Sequence, residues 1–180
     1  RRLARRLLDG GKRVWAGIAP DDDPRRVAAL PAAVERVVFD LRDAQAVREG
    51  VAKAAPRVLF HLAAVGVTNP KVDPGLALAV NVGGLINLLE VLKERTVQRV
   101  VLIGTCHEYG ARESVEGLDP FSTYAASKVA AWAFGRMYWR AYGLPTVTVR
   151  PFQVYGPGQP ARTLVPAAIR AALAGQDFPM

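Results

Sequence analysis

Short, continuously apolar runs alternate with helical segments along nearly the whole chain, and this alternation restricts the fold more than any other feature. The apolar runs are Val14–Ile18, Val37–Phe39, Val58–Phe60, Val100–Ile103 and Val147–Val149. The predicted helices are Pro24–Leu30, a stretch ending near Lys53, a long stretch through Glu94, Tyr124–Tyr142 and Leu164–Leu173. Continuous apolar strands are expected when helices cover both faces of a parallel sheet. The pattern therefore predicts an α/β protein with a doubly wound parallel sheet.

Composition excludes several classes of protein. Hydrophobic residues make up 51% and charged residues 22% of the 180 residues, which supports a packed core and excludes wholesale disorder. The longest nearly apolar stretch, Leu76–Leu89, is interrupted by asparagines and is shorter than a membrane span requires, so no membrane partner is expected. The single cysteine, Cys106, excludes an intrachain disulfide and favours a reducing, cytoplasmic location.

The formal net charge of +8 suits nucleic acid, anionic lipid or a phosphate-bearing small molecule as partner. The basic residues are spread along the chain, apart from clusters within Arg1–Arg6 and at Arg25–Arg26. No basic run is interleaved with aromatic residues that would stack on bases. The distribution argues against nucleic acid and favours solvated helix faces.

Polar residues that follow the apolar runs are candidates for chemistry, because ligands of such sheets bind beyond the carboxyl ends of the strands. Tyr124 and Lys128 are four residues apart at a predicted helix start and so share one face. An ammonium about 4 Å from the phenol oxygen would lower the pKa of the tyrosine by about three units. The tyrosine could then exchange a proton with a sugar hydroxyl or carbonyl, with the Thr105 hydroxyl holding the same oxygen. Taken alone, the pair also fits an exposed helix surface.

Further motifs flank this pair in a fixed order. They are His61–Ala64, Asn81–Gly84, Thr105–Gly110, Tyr124–Lys128 and Arg150–Gly158. Together they resemble the extended short-chain dehydrogenase/reductases, specifically the NAD-dependent epimerase/dehydratase family acting on nucleotide sugars. The resemblance covers essentially the whole chain. It implies a Rossmann-like NAD(P)-binding domain over residues 1–180, with residues 156–180 leading into an incomplete substrate-binding part.

The resemblance also implies roles for individual residues. Thr105, Tyr124 and Lys128 would be the catalytic hydroxyl, the acid/base, and the lysine that lowers the tyrosine pKa and holds the nicotinamide ribose. The other implied cofactor contacts are Asp40 and Leu41 at the adenine, Leu62, Ala63 and Ala64 beneath the cofactor, Asn81, and Phe152 near the nicotinamide. Gln153 takes the place of an asparagine that touches the substrate. His107, whose ordinary pKa is near neutrality, is either an added acid/base at the substrate or a hydrogen-bonded loop residue. No metal site is expected.

Two departures from the family pattern bear on whether this chain can bind the cofactor and catalyse a reaction. The opening strand and its Gly-x-x-Gly-x-x-Gly loop, which cradle the pyrophosphate, do not occur in the sequence. The chain also stops before the smaller substrate-binding part is complete. We therefore expect a fold truncated at both ends. A complete chain of this kind would instead be a non-catalytic dinucleotide-binding sensor or scaffold.

The positions after Thr105 help to distinguish reactions. The 4,6-dehydratases of the family place acids there, whereas this chain has Cys106 and His107, and Glu108 comes one position later. This order favours a nucleotide-sugar epimerase or 4-ketoreductase acting at C4 over a 4,6-dehydratase. NAD is the expected cofactor, with NADP as the alternative, because charges of both signs follow the first apolar run.

Apolar residues on two helices exceed what one buried face needs. They are Leu85, Leu88, Leu89 and Leu92 on the earlier helix, and Trp132, Met137 and Trp139 on the Tyr124 helix. Packing on the sheet is one explanation. Because relatives pair these two helices across a two-fold axis, we expect a homodimer.

Overall fold

Parallel strands alternate with helices through the computed structural model, which describes residues 1–67, 69, 71–111, 116–152, 154–156, 158–159 and 161–178. The strands are β1 (Trp15–Ile18), β2 (Glu35–Val38), β3 (Val58–His61), β4 (Arg99–Ile103) and β5 (Thr146–Val149). The helices are α1 (Arg2–Asp9), α2 (Pro24–Ala28), α3 (Ala44–Ala54), α4 (Pro74–Ala77), α5 (Gly84–Lys93), α6 (Thr123–Tyr142) and α7 (Leu164–Leu173). A π-helical segment, Leu78–Gly83, joins α4 to α5, and a 3₁₀ turn, Cys106–Tyr109, follows β4. The chain divides into two compact units, Arg1–Arg150 and Pro151–Met180.

The described strands form two parallel sheets. In one sheet β1 pairs with β2, and Trp15 lies opposite Glu35. In the other the order is β3-β4-β5, with Val58 opposite Arg99 and Val101 opposite Val147. In the doubly wound strand order 3-2-1-4-5-6, these sheets correspond to strands 3-2 and 4-5-6. The predicted α/β class with parallel strands is therefore confirmed.

The β5 strand shows that helices do not cover both faces of every strand. Thr146 and Thr148 are partly buried, and the Thr146 hydroxyl donates a 2.9 Å hydrogen bond to the Gly135 carbonyl of α6. Val147 and Val149 alternate with them and are exposed. The expectation that each strand is covered on both faces is wrong for this strand, because α6 packs on its threonine face only.

Helix boundaries follow capping residues that the sequence displays. The Ser122 hydroxyl accepts a hydrogen bond from the Ala125 amide and so caps the start of α6. Gly143, in a left-handed conformation, ends the same helix. Asp43 caps α3 by accepting hydrogen bonds from the amides of Gln45 and Ala46. The Ser122 cap fixes where α6 begins, and therefore where Tyr124 lies.

The core lies between β4 and the helices α3, α5 and α6. Its largest contribution comes from α5, whose leucines Leu85, Leu88, Leu89 and Leu92 are all buried. The four leucines pack within this chain, so they do not form the free face on which the expectation of a homodimer partly rested. Of the α6 residues named for the same purpose, Met137 and Trp139 are exposed.

The helical run from Pro74 to Lys93 is longer than the apolar stretch marked in the sequence. It has 20 residues, and an 18-residue window within it has a mean hydropathy of 1.8, so by length and composition alone it could cross a membrane. The length argument against a membrane span is therefore wrong for this run. Half of that window is buried inside the chain, however, which is the environment of a core helix.

The second unit, Pro151–Met180, contains α7. This helix begins at Leu164 and ends at Leu173, as the sequence predicted, and Gly175 follows it in a left-handed conformation. Ile169 and Leu173 are exposed on it.

Candidate active site

Three segments meet around Tyr124 at the start of α6. The loop after β3 reaches the tyrosine at Gly66, where an added Cβ would lie 3.3 Å from the Tyr124 Cβ. The turn after β4 contributes Cys106 and Glu108, whose charges both act on the tyrosine. Lys128 is buried one helical turn further along α6, about 6 Å along the axis. The structure thus brings the ends of two neighbouring strands to the predicted acid/base.

The Thr105 turn is held by a reciprocal pair of hydrogen bonds. The Thr105 hydroxyl accepts a 3.3 Å bond from the His107 amide, and the Thr105 amide donates a 2.8 Å bond to Oε1 of Glu108. This arrangement is a capping box at the start of the 3₁₀ turn. Thr105 is buried and fixed at the carboxyl end of β4, where the sequence predicted a catalytic hydroxyl.

The pKa of Tyr124 moves opposite to the expected direction. Burial raises it, and the charges of Glu108 and Cys106 raise it further. The pKa of Lys128 is lowered by burial, although Glu108 opposes this change. The expected lowering of the tyrosine pKa by the lysine is therefore not found, because burial and the Glu108 carboxylate both act to raise it.

Sequence reasoning gave no role to Glu108 and Arg150, although both adjoin predicted site residues. Glu108 is fully buried, and its Oε2 accepts a 2.5 Å hydrogen bond from Nε of Arg150 at the end of β5. The Thr-x-x-Glu spacing of a capping box was the one local signal for Glu108. Nothing local pairs it with Arg150, 42 residues later.

Asn81 joins the loop after β3 to α6. Its Oδ1 accepts a 2.8 Å bond from the Val65 amide, while its Nδ2 donates to the Val65 carbonyl and to the Ser127 hydroxyl. The Ser127 hydroxyl in turn donates a 2.7 Å bond to the Tyr124 carbonyl. Both amide hydrogens of Asn81 are thus used inside the chain. The residue holds the predicted cofactor loop against the helix that carries Tyr124.

The loop that this asparagine holds presents an apolar surface. Leu62 and Ala63 are exposed and Ala64 is half-buried. His61, immediately before them, is buried, and burial together with Lys128 lowers its pKa to about 4. A neutral imidazole therefore packs beneath the loop, a feature that the sequence did not reveal.

Asp40 and Leu41, the predicted adenine contacts, follow β2. The Asp40 carboxylate accepts hydrogen bonds from Nε and Nη2 of Arg42, and these bonds lower the pKa of Asp40. The Leu41 carbonyl accepts a 2.8 Å bond from Asn87, and its side chain packs against the core. Contacts within the unit Arg1–Arg150 thus hold both residues in place.

Of the two predicted substrate residues, His107 lies on the Thr105 turn and Gln153 lies outside the described residues. His107 is exposed, and its ring centroid lies 5.6 Å from that of Phe121. Phe152 is exposed in the second unit. Among the described residues, no group of three or more His, Cys, Asp or Glu side chains could hold a metal ion.

Comparison with known proteins identifies the family. The profile of the NAD dependent epimerase/dehydratase family matches residues 1–180. The chain belongs to this family.

Individual family members show how much of the fold is shared. The chain is 32% identical over 178 residues to a probable UDP-glucuronate 4-epimerase of Rhizobium meliloti, covering 90% of this chain and 52% of the relative. It is 36% identical over 117 residues to the UDP-glucose 4-epimerase of Mycolicibacterium smegmatis, covering 61% of this chain and 37% of that protein. The crystal structure of Bordetella bronchiseptica WbmG in complex with NAD superposes with a TM-score of 0.82 at 25% identity, over 98% of this chain and 56% of WbmG. The matched part thus spans 52% and 37% of the two relatives and 56% of WbmG, whose Rossmann fold the chain shares.

Proposed function

We propose that this epimerase/dehydratase family chain carries the proton-transfer residues of a nucleotide-sugar 4-epimerase or 4-ketoreductase. The observation that carries the proposal is that the Thr105 turn and the loop after β3 meet at Tyr124, one helical turn before the buried Lys128. The Tyr124 hydroxyl exchanges a proton with the oxygen at sugar C4, and the Thr105 hydroxyl aligns that oxygen. The buried Lys128 ammonium stabilises the phenolate when it forms.

The residues present suit the nicotinamide-ribose end of NAD. Lys128 and Tyr124 supply an ammonium and a hydroxyl for ribose hydroxyls, and the exposed Leu62 and Ala63 offer an apolar surface. When bound, NAD supplies the acceptor and donor of the hydride exchanged at C4. Asp40, Leu41, Ala64, Asn81 and Phe152 complete the proposed cofactor contacts. NAD is proposed rather than NADP because the family is NAD dependent.

Proposed substrate contacts and assembly follow the family. His107 and Gln153 face the nucleotide sugar in this proposal, and UDP-glucose and UDP-glucuronate are the first candidates because the two curated relatives are named for them. The domain that holds the cofactor covers the chain, with residues 156–180 leading toward the substrate part. A cytoplasmic homodimer is proposed, with Met137 and Trp139 as exposed apolar residues on α6.

A 4,6-dehydratase is less well supported, for a structural reason. Eliminating water requires an acid free to exchange a proton with the substrate. Glu108, the nearest acid after Thr105, is fully buried, and its two oxygens are bonded to the Thr105 amide and to Arg150. A non-catalytic dinucleotide sensor is the second candidate, favoured by the raised pKa of Tyr124.

The test uses the complete gene product with NAD and each UDP-sugar, with the C4 epimer and any 4-keto product followed by NMR. Tyr124→Phe is expected to lower turnover by at least about 10²-fold while NAD binding persists. Tyr142→Phe, exposed at the far end of the same helix, is the control and should retain wild-type turnover. NAD binding without turnover by the wild type would instead support the sensor. Loss of NAD binding together with turnover in Tyr124→Phe would refute the role given to Tyr124.

A further inference from the structure

A buried ion pair joins the turn after β4 to the end of β5. The Glu108 side chain has no solvent exposure, and the Arg150 side chain is only 17% exposed. Nε of Arg150 donates a 2.5 Å bond to Oε2 of Glu108, while Oε1 accepts the 2.8 Å bond from the Thr105 amide. The two carboxylate oxygens of Glu108 therefore bind different partners: Oε2 binds Arg150, and Oε1 binds the proposed catalytic turn.

Aromatic rings hold the arginine in place. The guanidinium carbon of Arg150 lies 5.3 Å from the ring centroid of Tyr109 and 5.1 Å from that of Trp132. Tyr109 ends the 3₁₀ turn, and Trp132 lies about two turns after Tyr124 on α6. One side chain thus contacts both the Thr105 turn and the helix of the proposed acid/base.

The backbone leaves no spare room at this pair. A Cβ added at Gly104 would lie 2.3 Å from Oε1 of Glu108 and 3.1 Å from Cγ of Arg150. The residue before Thr105 is therefore packed directly on the ion pair. A displacement of either charged side chain would move the turn.

The pair also shapes the electrostatics of the site. Glu108 and Cys106 on the turn are the groups that act on Tyr124. Lys128, one turn along α6, acts on the neutral His61 at the end of β3, and Arg150 after β5 is bonded to Glu108. Of these, the Glu108 carboxylate acts on both Tyr124 and Lys128. Because Arg150 is bonded to that carboxylate, it offsets part of the negative charge that the tyrosine experiences.

We propose that Glu108 and Arg150 are a positioning pair, which fixes the Thr105 turn and balances the charge facing Tyr124 and Lys128. The inference rests on the proposed function, and it adds two residues that touch neither substrate nor cofactor. Glu108 is not a proton donor in this arrangement, because it is sealed from solvent and both of its oxygens are bonded.

Two single substitutions should act in opposite directions. Glu108→Gln keeps the size of the side chain and an acceptor for the Thr105 amide, but it removes the negative charge, so the pKa of Tyr124 should fall. Arg150→Gln leaves the carboxylate unbalanced, so the pKa of Tyr124 should rise. A purely structural role would lower stability in both variants without this opposition of sign.

The measurement is an NMR titration of the complete gene product labelled with ¹³Cζ-tyrosine, in which Tyr124→Phe assigns the resonance. It needs no substrate. If the wild type turns over no nucleotide sugar, the proposed function fails while the titration still decides the charge balance. Glu90→Gln is the matched control. Glu90 also pairs with a cation, Lys93. Its hydrogen-bond partner on α6 is Tyr138, about 21 Å from Tyr124 along the helix, so Glu90→Gln should leave the Tyr124 resonance unchanged.

Opposite shifts of the Tyr124 pKa in Glu108→Gln and Arg150→Gln support the proposal, and shifts that are absent or of the same sign overturn it. If one of the two single variants does not fold, the direction of the Tyr124 pKa shift in the other variant decides. If neither folds, the double variant Glu108→Gln/Arg150→Gln, which leaves no buried charge unpaired, replaces them. Its kcat should fall about tenfold with KM nearly unchanged as the turn loosens. An unchanged kcat would overturn the proposal.

Discussion

The Tyr138 hydroxyl donates a 2.5 Å hydrogen bond to a carboxylate oxygen of Glu90, and this bond joins α6 to α5. Nζ of Lys93 donates to both oxygens of the same carboxylate at 2.8 Å. Burial and the Glu90 carboxylate raise the pKa of Tyr138, so the phenol remains the donor at neutral pH. The two helices that carry most of the core are thus linked by a polar contact at their far end.

Tyr138→Phe should lower the free energy of unfolding by about 1–2 kcal/mol, since it deletes a hydrogen bond to a charged group beside a partly exposed carboxylate. Tyr142→Phe is the control, because its side chain is exposed and should change stability by less than about 0.5 kcal/mol. Urea unfolding followed by circular dichroism measures both. Equal losses in the two variants would show that the Tyr138 bond adds no stability.

The order of strands and helices could be predicted from the sequence because apolar runs and capping residues are local signals. Ser122, Gly143 and Gly175 mark helix ends where the structure has them. The π-helical segment at Leu78–Gly83 was not predicted, since its residues are as apolar as those of an ordinary helix. Its effect is to place Asn81 where it meets both Val65 and Ser127.

The candidate site likewise has a part that could be predicted from the sequence and a part that could not. Thr105, Tyr124 and Lys128 stand in recognisable motifs, so their neighbourhood could be predicted from the sequence. The direction of the Tyr124 pKa could not, because it depends on burial and on Glu108, which the fold brings close. The pairing of Glu108 with Arg150 is likewise set by the adjacency of β4 and β5.

The neighbouring glycines Gly83 and Gly84 should respond oppositely to substitution by alanine. An added Cβ at Gly84 would lie 2.8 Å from the Leu41 Cβ, so Gly84→Ala should cost about 1–3 kcal/mol through overpacking. At Gly83 the nearest atom is 3.7 Å away, so Gly83→Ala should be neutral or stabilise by up to about 1 kcal/mol. Thermal unfolding of both variants is the measurement. A destabilised Gly83→Ala with an unaffected Gly84→Ala would contradict the packing described here.

Asn81→Ala should destabilise the chain more than Asn87→Ala. Asn81 makes hydrogen bonds to the Val65 amide, the Val65 carbonyl and the Ser127 hydroxyl, whereas the bond from Asn87 is a single contact to the Leu41 carbonyl. We expect losses of about 2–3 and about 1 kcal/mol, because the first substitution leaves buried partners unsatisfied. Hydrogen exchange at the Val65 amide separates the two, since its protection should fall in Asn81→Ala only. Retained protection there would show that the loop is held by other contacts.

Stability should fall on the acid side of neutrality because of His61. Burial and Lys128 lower its pKa from 6.5 to about 4, so the folded chain keeps the imidazole neutral while the unfolded chain protonates it below pH 6.5. The contribution is fully present above 6.5 and is lost as the pH falls toward 4. Between about pH 7.5 and 4.5 this loss amounts to about 2–3 kcal/mol. His61→Gln should remove that part of the pH dependence, whereas His107→Gln, at an exposed position, should retain it. The measurement is the urea unfolding midpoint of the wild type, His61→Gln and His107→Gln at about pH 7.5 and about pH 4.5. If all three proteins lost the same stability on acidification, His61 would not be the cause of the pH dependence.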